Sequence, residues 1–179
     1  MSSVQSFRRI ALSALTDEVG VYALCDLDGV PIYVGQSVDG IRSRVRRHLT
    51  SARSDVIANR QVDVWEIAFV WAWPVSDVGQ IPRLEAYLFN TFDKDVRLMN
   101  GKAMPMPELS VNVPDKQVVQ VIEEDERKNR RDPALRLPRQ IQQYNLLVDY
   151  ILNVKDASHL KRSLEAHFER LVTYHRNFL

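Results

Sequence analysis

Two short apolar runs, Gly20-Val21-Tyr22-Ala23-Leu24-Cys25 and Pro31-Ile32-Tyr33-Val34-Gly35, flank the polar pair Asp28-Gly29. Runs of this kind around Asp-Gly predict a β-hairpin closed by a two-residue type I′ turn, whose central residues both need positive φ. Counting outward from that turn pairs Asp26 with Pro31, Cys25 with Ile32, Leu24 with Tyr33, Ala23 with Val34 and Tyr22 with Gly35. Ala23, Cys25, Ile32 and Val34 then form one apolar face. Tyr22 and Tyr33 share the other face, where the missing side chain of Gly35 leaves a hollow. Strand tyrosines are most often packing residues, so the hairpin alone assigns them no chemistry.

Helical periodicity takes over on both sides. Phe7, Ile10, Ala11, Ala14 and Leu15 predict an amphipathic helix over 3–16 that covers the hairpin. Ile41, Val45 and Leu49 predict another over 41–49, with Asp39 as its N-cap. Residues 64–75, rich in aromatic and β-branched side chains, predict a third strand, and Pro82 opens a helix over 83–92. A Pro-punctuated passage over 102–114 marks the edge of this first unit. Residues 115–131 read as a helix that starts apolar and ends in opposite charge blocks, broken by Pro133 and Pro138. Two more amphipathic helices follow, over 139–153 and 157–178. The last carries Leu160, Leu164, His167, Leu171, Tyr174 and Phe178 at spacings of 4 and 3, a coiled-coil-like seam. Its expected partner is the preceding helix, with a second copy or another protein as the alternative, and His167 reads as a seam residue rather than a ligand. The division expected is an N-terminal helix over 1–16, an α+β unit over 17–102 and a helical region over 115–179.

Charge adds a local feature. With 24 Lys plus Arg against 23 Asp plus Glu among 179 residues, overall charge is no argument for a nucleic-acid partner. Five arginines nevertheless fall between positions 42 and 53. Arg44 and His48 border the apolar stripe of the 41–49 helix on one side, and Arg42, Arg46 and Arg53 lie on the other flank. Together with Arg47 they make a plausible phosphate-facing surface, although a solvated amphipathic helix is the plainer alternative. The single Cys25 excludes an intrachain disulfide and a multi-cysteine zinc site, and it fits a reducing compartment. No signal peptide or apolar span is recognisable, so the expectation is a soluble cytoplasmic protein without a membrane partner.

On a helical wheel Glu85 falls inside the arc of Leu84, Leu88, Phe89 and Phe92, so its carboxylate points to the buried side. A buried carboxylate is costly unless a cation meets it. An ion pair with an arginine such as Arg44 and a bound metal ion both remain open. The two tyrosines, the basic helix, this carboxylate and Asn100 together suit phosphodiester hydrolysis. A lone carboxylate suits Mg²⁺ or Mn²⁺, one ion per site, because Mg²⁺ keeps most of its waters. An arginine can stabilise charge building on phosphorus. A tyrosine beside metal and arginine can have its pKa lowered and take a proton from water.

These residues resemble the GIY-YIG nuclease superfamily. The naming motifs stand as Gly20-Val21-Tyr22 and Tyr33-Val34-Gly35, followed by a helix with Arg44 and His48, a helix with Glu85, and Asn100, over roughly residues 17–102. The likeness implies an α+β fold with a small three-stranded antiparallel sheet flanked by helices, and a divalent-metal-dependent DNA endonuclease. It makes Tyr22 the general base or its activator and Tyr33 an assisting phenol. Arg44 becomes the transition-state cation, His48 a helper, Glu85 the metal ligand and Asn100 a polar brace. Many members carry Lys after the second motif, where this chain has Gln36, a residue then expected to meet DNA without adding a cation. The motif phrases are similar in style to stand-alone and restriction-type members. The alternative is a catalytically silent nucleic-acid-binding module of the same fold.

Overall fold

The computed structural model describes residues 3–51 and 54–179; Arg53, expected at the DNA surface, lies outside the described residues. Helix α1 (Ser3–Ser13) leads into β1 (Gly20–Cys25) and β2 (Pro31–Ser37), followed by α2 (Ile41–Thr50) and the one-turn α3 (Asp55–Ala58). Next come β3 (Phe69–Pro74), α4 (Ile81–Asp93), β4 (Gln117–Gln120), α5 (Glu124–Arg130), α6 (Pro133–Asn153) and α7 (Ser158–Phe178). The strands form one antiparallel sheet in the order β2-β1-β3-β4.

All six residues of β1 are buried, because helices cover both faces of the sheet. On one face Tyr22, Leu24, Val70 and Ala72 pack with Leu12 and Leu15 from the N-terminal segment and Ile41, Val45 and Leu49 of α2. On the other, Val21, Ala23, Cys25 and Val34 pack with Ile81, Leu84, Leu88 and Phe89 of α4. Burial pushes the Cys25 thiol pKa up, in keeping with an inert core residue.

The hairpin keeps the expected pairing of Tyr22 with Gly35, Ala23 with Val34 and Leu24 with Tyr33, but its turn differs. Asp26 N–H donates to the Val30 carbonyl at 2.9 Å and Gly29 N–H to the Asp26 carbonyl at 3.0 Å, so the loop is Leu27-Asp28-Gly29. Only Gly29 has positive φ, +79°, the mark of a type I turn followed by a bulge. The cause is the Asp26 carboxylate, whose Oδ1 accepts from the N–H groups of Asp28 and Val30, both at 2.9 Å. The resulting register shift pairs Cys25 with Pro31, and Ile32 joins the layer of Tyr22 and Leu24 rather than that of Cys25.

Three further expectations are corrected. The sheet has four strands rather than three, because residues 117–120 form a strand and not the start of a helix. Val119 is buried while Val118 is exposed, an alternation of period two, and β4 completes the free edge of β3. Asp39 is not the N-cap of α2, since Gly40 occupies that position without a side-chain bond. The first helical N–H groups are met instead by the loop before β1, Ile41 N–H by the Glu18 carbonyl at 2.9 Å and Arg42 N–H by that of Thr16 at 3.1 Å. Pro138 does not break the chain but sits inside α6, which starts at Pro133 under the cap of Asp132. Burial of Arg136, Leu137, Gln140 and Gln143 outweighs the one backbone hydrogen bond that a proline removes.

The seam of α7 is used within this chain. Leu160 packs with Leu147 and Ile151 of α6, and His167 Nε2 lies 2.9 Å from the Gln61 carbonyl. Burial holds the His167 pKa down at about 4, so its ring is neutral near pH 7. One turn further on, Arg170 and Tyr174 join Arg136 around the carboxylates of Asp26 and Glu66. Among the described residues no helix is long and apolar enough to cross a membrane.

Candidate active site

The pairing of Tyr22 with Gly35 fixes one corner of the site, because the Tyr22 ring lies across the glycine. A Cβ at position 35 would stand 2.6 Å from the Tyr22 hydroxyl and 3.0 Å from the Tyr33 ring. Gly35→Ala is therefore expected to destabilise the fold by about 1–3 kcal/mol, as overpacking of a tight core does. A urea midpoint equal to that of wild type would contradict this.

From α2, His48 completes a triangle of rings, with centroids 5.9 Å from both Tyr22 and Tyr33 and the tyrosines 6.5 Å apart. The fully buried Tyr22 phenol lies 2.7 Å from His48 Nε2, and His48 Nδ1 lies 2.5 Å from Ser54 Oγ. This chain runs in one of two directions, depending on the imidazole tautomer. With Nδ1–H donating to Ser54, Nε2 accepts the phenol proton, which is the direction that serves base catalysis.

Burial raises the Tyr22 pKa well above the ordinary phenol value, and Tyr33 adds to the rise, whereas Arg44 opposes it. Arg44 alone does not outweigh burial, so the free protein holds Tyr22 as a neutral phenol. Arg44 leaves its buried Nε without a hydrogen-bond partner. Glu85, half-buried on α4, is near enough for its charge to act on Tyr22. The ion pair considered between Glu85 and Arg44 does not form, and among the described residues Glu85 has none. Burial pushes its carboxyl up to about 7.

A family model described as the GIY-YIG catalytic domain matches residues 18–100. Over these residues the chain is similar to that family. The comparison with curated proteins gives no match. Within the matched residues the fold brings Tyr22, Tyr33, Arg44, His48 and Glu85 to one locality, while Asn100 works from the outer edge of β2. Its Oδ1 accepts from Val34 N–H at 3.0 Å and its Nδ2 donates to the Val34 carbonyl at 2.6 Å, satisfying both outward groups of an edge-strand residue. Asn100 thus fixes the strand that carries Tyr33 and Gly35. Arg162 of α7 in turn donates to the Asn100 carbonyl at 2.6 Å, tying the C-terminal helices to the domain.

The residues expected at DNA divide. Gln36, Arg46 and Arg47 are exposed. Arg42 is committed within the protein, with Nε donating to the Leu15 carbonyl at 2.7 Å and a guanidinium nitrogen 3.6 Å from Asp17. Ser54 carries no signal of its role beside His48 in the sequence. It directly precedes a one-turn helix, so local pattern marks it as a cap, and nothing in the sequence points to a histidine six residues back. Among the described residues no group of three or more His, Cys, Asp or Glu side chains is arranged to hold a metal ion. A many-ligand cage is therefore not available at this site, but a largely hydrated ion on one carboxylate needs none.

Proposed function

We propose that this chain is a divalent-metal-dependent DNA endonuclease that hydrolyses phosphodiester bonds. The observation that carries the reading is the convergence of the Ser54–His48–Tyr22 chain with Arg44 and with a half-buried carboxylate that has no cationic partner among the described residues. Glu85 fits a divalent ion: burial makes its lone negative charge costly, and bound positive charge offsets that cost. When bound there, Mg²⁺ or Mn²⁺ supplies Lewis-acid polarisation of a phosphate oxygen and charge neutralisation at the leaving oxygen.

The side chains supply the rest. His48 draws the proton of Tyr22, and the Tyr22 oxygen takes one from the attacking water, so that base strength reaches the water through a buried phenol. Ser54 holds the imidazole in the required tautomer and is a positioning residue. Tyr33, beside both rings, orients the water. The guanidinium of Arg44, with an unused buried N–H, meets charge as it builds on the phosphate.

Incubating the protein with plasmid and with linear, branched and single-stranded DNA, with and without Mg²⁺ or Mn²⁺, tests the reading directly. Inactivity of wild type on all of these supports the silent binding module. In single-turnover cleavage His48→Ala is expected to lower the rate by about 10²–10⁴-fold. Ser54→Ala should cost less, because the imidazole loses its orienting partner but keeps its bond to Tyr22. Arg44→Ala should slow the chemical step more than it weakens DNA binding. Weaker binding with an unchanged single-turnover rate would remove Arg44 from the catalytic set.

A further inference from the structure

Beside the site, a cavity of about 490 Å³ opens between α1, the C-terminal end of α2 and the turn at Val64. Arg8 and Arg9 of α1 and Arg46 of α2 line it, and His48 forms a wall shared with the active site. No carboxylate is among its described lining residues. We propose that this cavity is a phosphate-binding subsite built from Arg8, Arg9 and Arg46.

Arg8 is the decisive residue. Its exposure is 7%, its Nε is buried with no hydrogen-bond partner, and its Nη2 has only a long 3.4 Å bond to the Val64 carbonyl. Among the described residues it makes no ion pair. Burial and the nearby charge of Arg130 bring its pKa down to about 10, which still leaves a full cation at neutral pH. A buried charge without a counter-charge is unfavourable, and an anion in the cavity would remove that cost. The planar guanidinium suits two oxygens of a tetrahedral phosphate, and the exposed Arg9 and Arg46 add charge at the mouth.

The position suggests which phosphate. His48 both meets the Tyr22 phenol and lines the cavity, so the subsite adjoins the reacting centre on the flank of α2 that carries Arg46. A backbone phosphate of bound DNA beside the reacting one is the natural occupant; inorganic phosphate is the other source of the same chemistry. The DNA assignment rests on the nuclease reading, whereas the anion site does not. Arg8 and Arg9 precede the matched domain, so α1 would add to the domain a contact of its own.

Thermal unfolding of the full chain in inorganic phosphate and in chloride of equal ionic strength tests the site. Phosphate at saturating concentration is expected to raise the wild-type Tm by about 3 °C or more beyond chloride. Arg8→Met, which keeps the apolar stem, should lose that response without losing stability in chloride. Arg9→Gln, an exposed change, should weaken the response in a fold that is not at risk. A full phosphate response in both variants, or none in wild type, overturns the proposal. The source is decided by anisotropy of a labelled duplex with Glu85→Gln protein over a range of salt. Adding Arg9→Gln or Arg46→Gln should lower the salt slope by about one. An unchanged slope beside a lost phosphate response assigns the site to free phosphate. A phosphate response in a protein that neither binds nor cleaves DNA keeps the site and removes the nuclease reading.

Discussion

Glu85→Gln is expected to have two opposite effects, loss of metal-dependent cleavage and a gain in stability of the metal-free protein at alkaline pH. Under the proposed mechanism, loss of the carboxylate removes the ligand assigned to the ion, and with it several kcal/mol of transition-state stabilisation, about a thousandfold or more in rate. The stability effect follows from the same burial. The Glu85 carboxyl titrates at about 7 in the folded protein against an ordinary value of 4.5, so the folded state binds the proton more tightly than the unfolded chain. Stability therefore falls as pH rises from about 4.5 through about 7, and the deficit is complete above that range. For a half-buried group screened by solvent the deficit is about 1–2 kcal/mol. Urea denaturation should show Glu85→Gln more stable than wild type by that amount at pH 8, and equal to it near pH 4.5. Mg²⁺ should stabilise wild type at pH 8 and leave the variant unmoved. Full cleavage by Glu85→Gln would eliminate the metal-ligand role, and equal stability at both pH values would show that Glu85 is not desolvated.

Arg136→Met is expected to cost about 3–5 kcal/mol, the largest single loss of stability in this fold. Arg136 has no solvent exposure and meets three carboxylates, Asp28 at 2.5 Å, Glu66 at 3.2 Å and Asp26 at 3.3 Å. Arg170 also pairs with Asp26, and the Tyr174 hydroxyl donates to the same carboxylate at 2.9 Å. The two acids respond differently. Burial drives both upward, but Arg170 and Arg136 hold Asp26 below its ordinary value, whereas at Glu66 burial prevails. Removing Arg136 leaves Glu66 buried beside Asp26 with less opposing charge, so its carboxyl pKa rises further. Stability tied to a raised carboxyl pKa is lost as pH rises, so the deficit of Arg136→Met should be larger at pH 8 than at pH 5. Glu66→Gln added to Arg136→Met should recover part of it. A loss below about 1 kcal/mol, or one independent of pH, would mean that the cluster does not hold the C-terminal helices to the hairpin.

What the sequence determined by itself is what local pattern and turn chemistry can carry. The two strands, the pairing of Tyr22 with Gly35, the buried stripe of α2 with Arg44 and His48 at its border, and the entry of α4 at Pro82 follow from spacings within a few residues. The motif spacing likewise sufficed to find the likeness that the family model matches over residues 18–100. The tertiary structure decided everything that depends on partners distant in the chain. The Asp26 carboxylate reshaped a turn that Asp28-Gly29 alone would close in two residues, and it is held in place by Arg136 and Arg170, 110 and 144 residues away. The edge of β3 made a strand of residues that read as helix, and buried neighbours carried α6 through Pro138. In the metal-free site, burial raises the Tyr22 pKa more than Arg44 lowers it, and folding placed Ser54 on the histidine. Desolvation and long-range polar pairing leave no periodic trace in a sequence, because they depend on what lies opposite a side chain and not on what lies beside it in the chain.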